Sequence, residues 1–199
     1  MKIRILTIFP GMLRAAMGES ILGRANSAGL VDIDAVDIRP FSQNKHKNTD
    51  DYPFGGGAGM LMLAQPIVDC TEFVDERLTK NGGKKPRHIY LSPRGRTFNQ
   101  KIAEELAQEE SLVFLCGHYE GVDERALEIC GYEEMSLGDF VLPAANTRPC
   151  AWWMLLQGFC PACLAARIRP WTKVFLRVFW NIRSIQGRGN TAGWRFRRC

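Results

Sequence analysis

LVFLCGHYEGVDER, residues 112–125, decides how the rest of the chain is read. Leu112–Cys116 is apolar throughout, the pattern of a strand buried on both faces. The chain then turns at Gly117 and again at Gly121, with His118, Tyr119 and Glu120 between the two glycines. In open α/β sheets, ligands bind beyond the carboxyl ends of the strands, where bare backbone can approach them. A carboxylate there suits a guanine edge, because guanine presents N1–H and N2–H donors. The competing reading of Glu120 is an exposed glutamate in an ordinary turn. His46 and His118 are not spaced as metal ligands, and His88, which opens a strand, reads as a structural histidine.

Two other segments share this character: IYLSPRG (residues 89–95) and SLGDFVL (residues 136–142). Each alone is an ordinary turn; three in one small domain point to a nucleotide-like cofactor. Neither GxGxxG nor GxxxxGK[ST] occurs, which argues against a dinucleotide fold or a P-loop. Around these segments, Ile3–Phe9 reads as a first strand broken by Pro10 and Gly11, followed by one helix over Met12–Gly23. Val31–Ile38 alternates as a second strand, and Ile67–Thr79 and Asn99–Gln108 have helical spacing. His88–Ser92 is a short strand, Ala126–Ile129 continues as a helix, and Ser136–Leu142 is a further strand or loop. Strands alternating with helices predict an α/β fold, a mostly parallel sheet with helices on both faces. Residues 40–60 form a long polar, glycine-rich loop, a length that more often serves function than structure. Lys45 and Lys47 suit phosphate contacts there, with a solvated charged face as the alternative.

The composition divides at one place. Residues 1–142 carry 16 Lys/Arg and 21 Asp/Glu, whereas residues 143–199 carry 10 Lys/Arg and no acidic residue. All five tryptophans and four of the seven cysteines fall in the second stretch. The overall charge of +5 is therefore a property of neither part. Cys160 and Cys163 have ligand-like spacing but no second pair, so no metal site is expected. The short apolar run at the N-terminus, with Arg4 inside it, reads as a strand and not as a signal peptide. No stretch reaches the length of a membrane span. Free thiols and a cytoplasmic location are the expectation.

DDYPFGGGAGMLM (50–62), YLSPRGR (90–96), LCGHYEGVDER (115–125) and SLGDFVL (136–142), in this order and spacing, resemble the bacterial tRNA (guanine-N1)-methyltransferases, TrmD-type, of the SPOUT superfamily. The resemblance spans residues 1–142, and the opening ILTIFPGML fits it. It implies a domain closed by a deep trefoil knot, an exception to the rule against threading. It also implies a homodimer with the active site between subunits, and methyl transfer from S-adenosylmethionine to N1 of the tRNA guanosine 3′ of the anticodon. Carried over, the cofactor pocket comprises Tyr90, Leu91, Pro93, Gly117, Tyr119, Gly121 and the run Leu137, Gly138, Asp139, Phe140, Val141 and Leu142. Glu120 would hold the target guanine, with Asp51, Gly55, Gly56, Gly57 and Gly59 facing tRNA and the pocket rim. Ala58 stands where the family commonly has proline.

After Leu142 the resemblance stops. The family continues with Ser/Thr-Gly-Gly-Glu, then with an Arg and a linker Asp that act as the catalytic pair. Here Pro143-Ala144-Ala145-Asn146 follows, whose codons, read in the neighbouring frame, permit Thr-Gly-Gly-Glu. Met154–Leu164, Ala166–Phe175 and Trp180–Arg188 likewise permit segments resembling the family's continuation. The reading is a one-base frameshift near Leu142: residues 1–142 form a truncated methyltransferase domain with an incomplete knot, and residues 143–199 an out-of-frame, disordered tail. No catalytic residue is assigned, and negligible activity is expected. Two other readings remain: a nucleic-acid-binding protein that uses the Arg/Trp-rich tail, and a domain that binds S-adenosylmethionine only to sense it.

Overall fold

Strand β1 (Lys2–Thr7) sends Ile3 and Ile5 to one face of a sheet and Leu6 to the other. The chain is seen in a computed structural model that describes residues 1–53, 55–56, 59–80 and 82–138. After β1 come α1 (Pro10–Met17), α2 (Ser20–Ser27), β2 (Asp32–Asp37), β3 (Asp50–Asp51) and β4 (Leu61–Met62). Then follow α3 (Ala64–Thr79), β5 (Arg87–Thr97), α4 (Gln100–Leu106), β6 (Ser111–Leu115), β7 (Gly121–Val122), α5 (Glu124–Cys130) and β8 (Glu133–Ser136).

The main sheet has the order β2-β1-β6-β5-β8, and every pairing in it is parallel. Two apolar cores follow from the alternation of its strands. Ile3, Ile5, Ile33, Ile89, Leu112 and Phe114 pack under Leu13 and Met17 of α1, Ala25 of α2, and Ile102 and Leu106 of α4. Leu6, Tyr90, Val113 and Leu115 pack on the opposite face under Ile67, Cys70 and Val74 of α3 and Ala126 and Leu127 of α5. Helices thus cover both faces, as the sequence predicts. Each fully buried Leu or Ile contributes about 1.5–3 kcal/mol by leaving water. Burial also pushes the Cys70 thiol well above its ordinary range, so it serves as packing.

Local expectations are refined in several places. The single helix over Met12–Gly23 is two: Gly18 closes α1 on the Arg14 carbonyl and α2 starts at Ser20. A Cβ on Gly23 would lie 2.1 Å from the Gly18 carbonyl oxygen, so only glycine permits that approach. The strand expected to end at Ser92 runs on to Thr97; of the strand or loop expected over Ser136–Leu142, Ser136 ends β8 and Leu137 and Gly138 follow it outside any strand. Lys47 Nζ donates to the carbonyls of Pro40 (3.2 Å) and Ser42 (2.9 Å). It holds the loop after β2 closed on itself. The knot's last crossing and the tail of residues 143–199 lie outside the described residues.

At the amino end of β5, His88 is structural, as expected. Its Nδ1 donates to the Cys130 carbonyl (2.7 Å), and its Nε2 meets Asp75 Oδ1 at 2.9 Å. Its ring lies 5.1 Å from that of Tyr132. The Thr71 hydroxyl donates to the Ile67 carbonyl and so accepts from the buried Tyr132 hydroxyl.

Candidate functional site

The sheet opens between β1 and β6. β1 leaves toward β2 through α1 and α2 on one face, whereas β6 leaves toward β8 through α5 on the other. Neighbouring strands whose connections depart in opposite directions leave a crevice at their carboxyl ends. The loops after β1, β6 and β5 border it, and they carry most of the residues singled out above.

On the β5 side, Leu91 and Arg96 both pair with Met135 of β8, so residues 92–95 bulge out of the strand. Ser92 Oγ accepts from the Arg94 amide (3.2 Å) and shapes this bulge. A Cβ on Gly95 would lie 2.3 Å from backbone atoms of Glu134 and Met135, so only a bare Cα lets the chain rejoin β8. Tyr90 and Leu91 are buried and Pro93 is exposed. Gly117, buried at the end of β6, lies against the Tyr90 ring, where a Cβ would come within 3.0 Å. Tyr90 and Gly117 thus pack together at the carboxyl ends of β5 and β6, with Leu91 and Pro93 following Tyr90 along the chain. Leu137 and Gly138 are half-buried just after β8, where Leu137 packs on the first core. Asp139, Phe140, Val141 and Leu142 lie outside the described residues.

On the β6 side, a second small sheet ties the glycine-rich loop to Glu120. β3 pairs antiparallel with β4, and β4 pairs parallel with β7, setting Leu61 beside Gly121. The Glu120 amide donates to the Met60 carbonyl (3.0 Å), and the Asp123 amide to that of Met62 (3.0 Å). Tyr119 takes the left-handed conformation (φ 57°), and its hydroxyl donates to Asp50 Oδ1 (3.1 Å). That backbone is uncommon outside glycine, and it turns Glu120 outward toward the loop. Gly59 (φ 94°) lies directly against the Glu120 side chain: a Cβ there would sit 2.2 Å from Glu120 Cγ and 2.9 Å from Oε1. Asp51 and Gly55 are exposed on the same loop, Gly56 turns it with φ 71°, and Gly57 lies outside the described residues.

The structure thus brings together Glu120, Gly59, Tyr119 and Gly121 as one cluster and Tyr90 with Gly117 as another, joined through residues 117–121. Reading the chain did not single out Asp50 as the anchor of Tyr119, a pairing 69 residues apart in the chain that no local pattern signals. It also passed over the surroundings of His118. That ring packs edge-on against Phe9 (5.1 Å) and Tyr119 (4.7 Å), and its amide donates to Met62 Sδ (3.2 Å). Burial, then the Arg39 charge, hold its pKa below the ordinary value, which favours the neutral ring. Burial and the Asp50 contact raise the Tyr119 phenol, which stays protonated as a donor.

The profile of the family described as "tRNA (Guanine-1)-methyltransferase TrmD" matches residues 1–151. A tRNA (guanine-N(1)-)-methyltransferase of Alkaliphilus metalliredigens is 54% identical over 142 residues, which make up 71% of this chain and 57% of that protein. The one from Ruminiclostridium cellulolyticum is 49% identical over 142 residues, 71% of this chain and 59% of that one. Among solved structures, a tRNA (m1G37) methyltransferase from Aquifex aeolicus superposes with a TM-score of 0.68 at 33% identity, covering 78% of this chain and 68% of that one. The chain spans less than three fifths of the length of these curated relatives. By the extent and identity of these matches, the chain belongs to the tRNA (guanine-1)-methyltransferase TrmD family.

Proposed function

We propose that residues 1–142 are the cofactor- and guanine-binding part of a tRNA (guanine-N1)-methyltransferase acting on the guanosine 3′ of the anticodon. The observation that carries this is the packing of Gly59 against Glu120: a side chain at residue 59 would fill the space beside the carboxylate. Glu120 accepts hydrogen bonds from the N1–H and N2–H edge of guanine, while Tyr119, anchored on Asp50, fixes the backbone from which it projects. The loop with Asp51, Gly55, Gly56, Gly57 and Gly59 forms the rim over the bound nucleotide.

We infer that S-adenosylmethionine binds at the carboxyl ends of β5 and β6, where the side-chain-free backbone of Gly117 packs against the Tyr90 ring. Tyr90, Leu91, Pro93, Gly117, Tyr119, Gly121 and the run Leu137–Leu142 would hold it. When bound, this cofactor supplies the methyl group. By the family pattern, a linker Asp takes the guanine N1 proton and an Arg stabilises charge developing on O6. No residue of this chain is assigned either role, since both codons fall in the stretch read out of frame after Leu142. The chain as it stands therefore binds its ligands without transferring methyl. The same reading makes tRNA the substrate, a second copy of the chain the partner and the cytoplasm the compartment. Among the described residues, no helix is long and apolar enough to cross a membrane.

In a tritium-methyl transfer assay on unmodified tRNA, the 199-residue chain is expected to show no turnover. The gene with its frame restored at codon 142 is expected to be active. Robust turnover by the chain as given overturns the frameshift reading; inactivity of the restored chain overturns the assignment of the enzyme.

A further inference from the structure

Strand β2 ends the main sheet on one side, with β1 as its only neighbour among the described residues. The amides of Asp32 and Ile38 donate to the Met1 and Thr7 carbonyls, so by alternation Asp34 and Val36 also turn their backbone toward β1. Ile33, Ala35 and Asp37 turn theirs outward, where another strand could pair with them. Side chains from the two preceding helices occupy that edge. Asn26 of α2 meets both backbone groups of Ile33: its Oδ1 accepts from the amide (3.2 Å), and its Nδ2 donates to the carbonyl (3.4 Å). A facing backbone residue in an antiparallel ladder would exchange the same pair of bonds. Arg14 of α1 reaches the next outward residue, donating from Nη2 to the Ala35 carbonyl (2.7 Å). Just past the strand, Pro40 has no amide to continue a ladder.

We infer that Asn26 and Arg14 stand in for a sixth strand and close the β2 edge against the β2 of a second copy of this chain. Charge alone does not guard this edge. Asp32 and Asp34 would repel a second acidic strand, but Arg4 sits on Asp32 (2.6 Å) and Arg14 on Asp34 (3.2 Å). Nor is Asn26 needed to satisfy a buried group, because it is exposed and water could serve the Ile33 amide and carbonyl equally well. What the side chain does and water does not is hold its place against an incoming strand. A second copy is the partner excluded, since an antiparallel ladder about a two-fold axis uses the same outward residues on each side. Such pairing would join copies through β2, whatever contact they make elsewhere.

Sedimentation equilibrium compares the 199-residue chain with Asn26→Ala, Arg14→Ala and the double variant over a wide range of concentration. The parent is expected to keep one mass throughout, whether that is one copy or two. In the double variant the mass should rise with concentration to about twice the parent's or more, with the single variants between. Hydrogen exchange locates the contact: the outward Ala35 amide should exchange about tenfold more slowly in the associated variant than in the parent. Circular dichroism identifies a misfolded variant. The Arg14 side chain is 56% exposed, so Arg14→Ala carries the comparison if the Asn26 variants do not fold. A mass unaltered in the folded variants overturns the inference, and lower stability without association leaves Asn26 a local brace only. Association that leaves the Ala35 amide exchanging as in the parent also overturns it, because the copies then meet elsewhere. So does a parent that already associates with that amide protected.

Discussion

His88 and His118 sit at opposite ends of one parallel sheet and meet opposite fates. Each is followed or flanked by aromatic rings, and each lies beside a strand of the buried centre. His88 spends both ring nitrogens on partners, the Cys130 carbonyl and the Asp75 carboxylate, and its neighbour Tyr132 closes a second bond to Thr71. His118 spends only its backbone amide, on a methionine sulfur, and its Nδ1 is left over. The amino end of the sheet is saturated and holds α3, α5 and β5 together. The carboxyl end keeps hydrogen-bonding capacity, exposed rings and a left-handed Tyr119 in reserve. Such surplus is costly to leave unused in a core, and it collects where a ligand is to complete it.

The largest effect expected from breaking this contrast is at the saturated end. His88→Ala leaves the Asp75 carboxylate and the Cys130 carbonyl without their partner, and should lower stability by about 3 kcal/mol in urea unfolding. The variant that remains folded should bind guanosine 5′-monophosphate as the parent does. A stability loss under about 1 kcal/mol would show that the network is not the clamp described.

At the open end the ranking reverses. Gly59→Ala forces a side chain into the φ 94° conformation at a cost of about 1–2 kcal/mol, and pushes the Glu120 side chain aside. Guanosine affinity should fall about tenfold or more, out of proportion to the stability lost. Equal affinity in the variant would mean that Gly59 is there for the turn alone.

The smallest effect is in pH dependence. The folded pKa of His118 lies below its ordinary value of 6.5, so below that pH the unfolded chain binds more protons than the folded one. Stability should therefore fall as pH drops through the window just under 6.5, and His118→Gln should flatten that slope. Asp123 is shifted down from 3.8 by its bonds to Arg125, so its contribution is lost only at lower pH and the two do not overlap. A slope unaltered in His118→Gln would assign it to another group.

The contrast also marks how far the sequence could be read. Alternation in Ile3–Phe9 and the apolar run of Leu112–Cys116 reveal the buried strands and so the two-faced sheet, because burial acts on every second or on every residue. The loops beyond β5 and β6 were legible as turns because glycine punctuates the ends of buried strands, while the close packing of Gly95 on β8 and Gly117 on Tyr90 was not. The small sheet of β3, β4 and β7 was not, since two-residue strands carry no period. Phe9 meets His118 and Arg39 only when β1, β2 and β6 come side by side, and Asp50 meets Tyr119 only when β3, β4 and β7 pair. Their residue types are unremarkable one at a time, and only the strand order makes them neighbours.

One consequence of the strand order concerns which half of the site gives way first. β6 is buried along its whole length and hydrogen-bonded on both sides, to β1 and to β5. Its amide protons should be among the last to exchange with solvent. The two-residue β4 beside Gly59 is tied to β7 and its flanks by a few backbone bonds, a much shorter ladder. Glu120 thus rides close to the slowest-exchanging strand of the domain. Whatever meets its carboxylate therefore meets a group whose backbone is anchored at the rigid centre of the sheet.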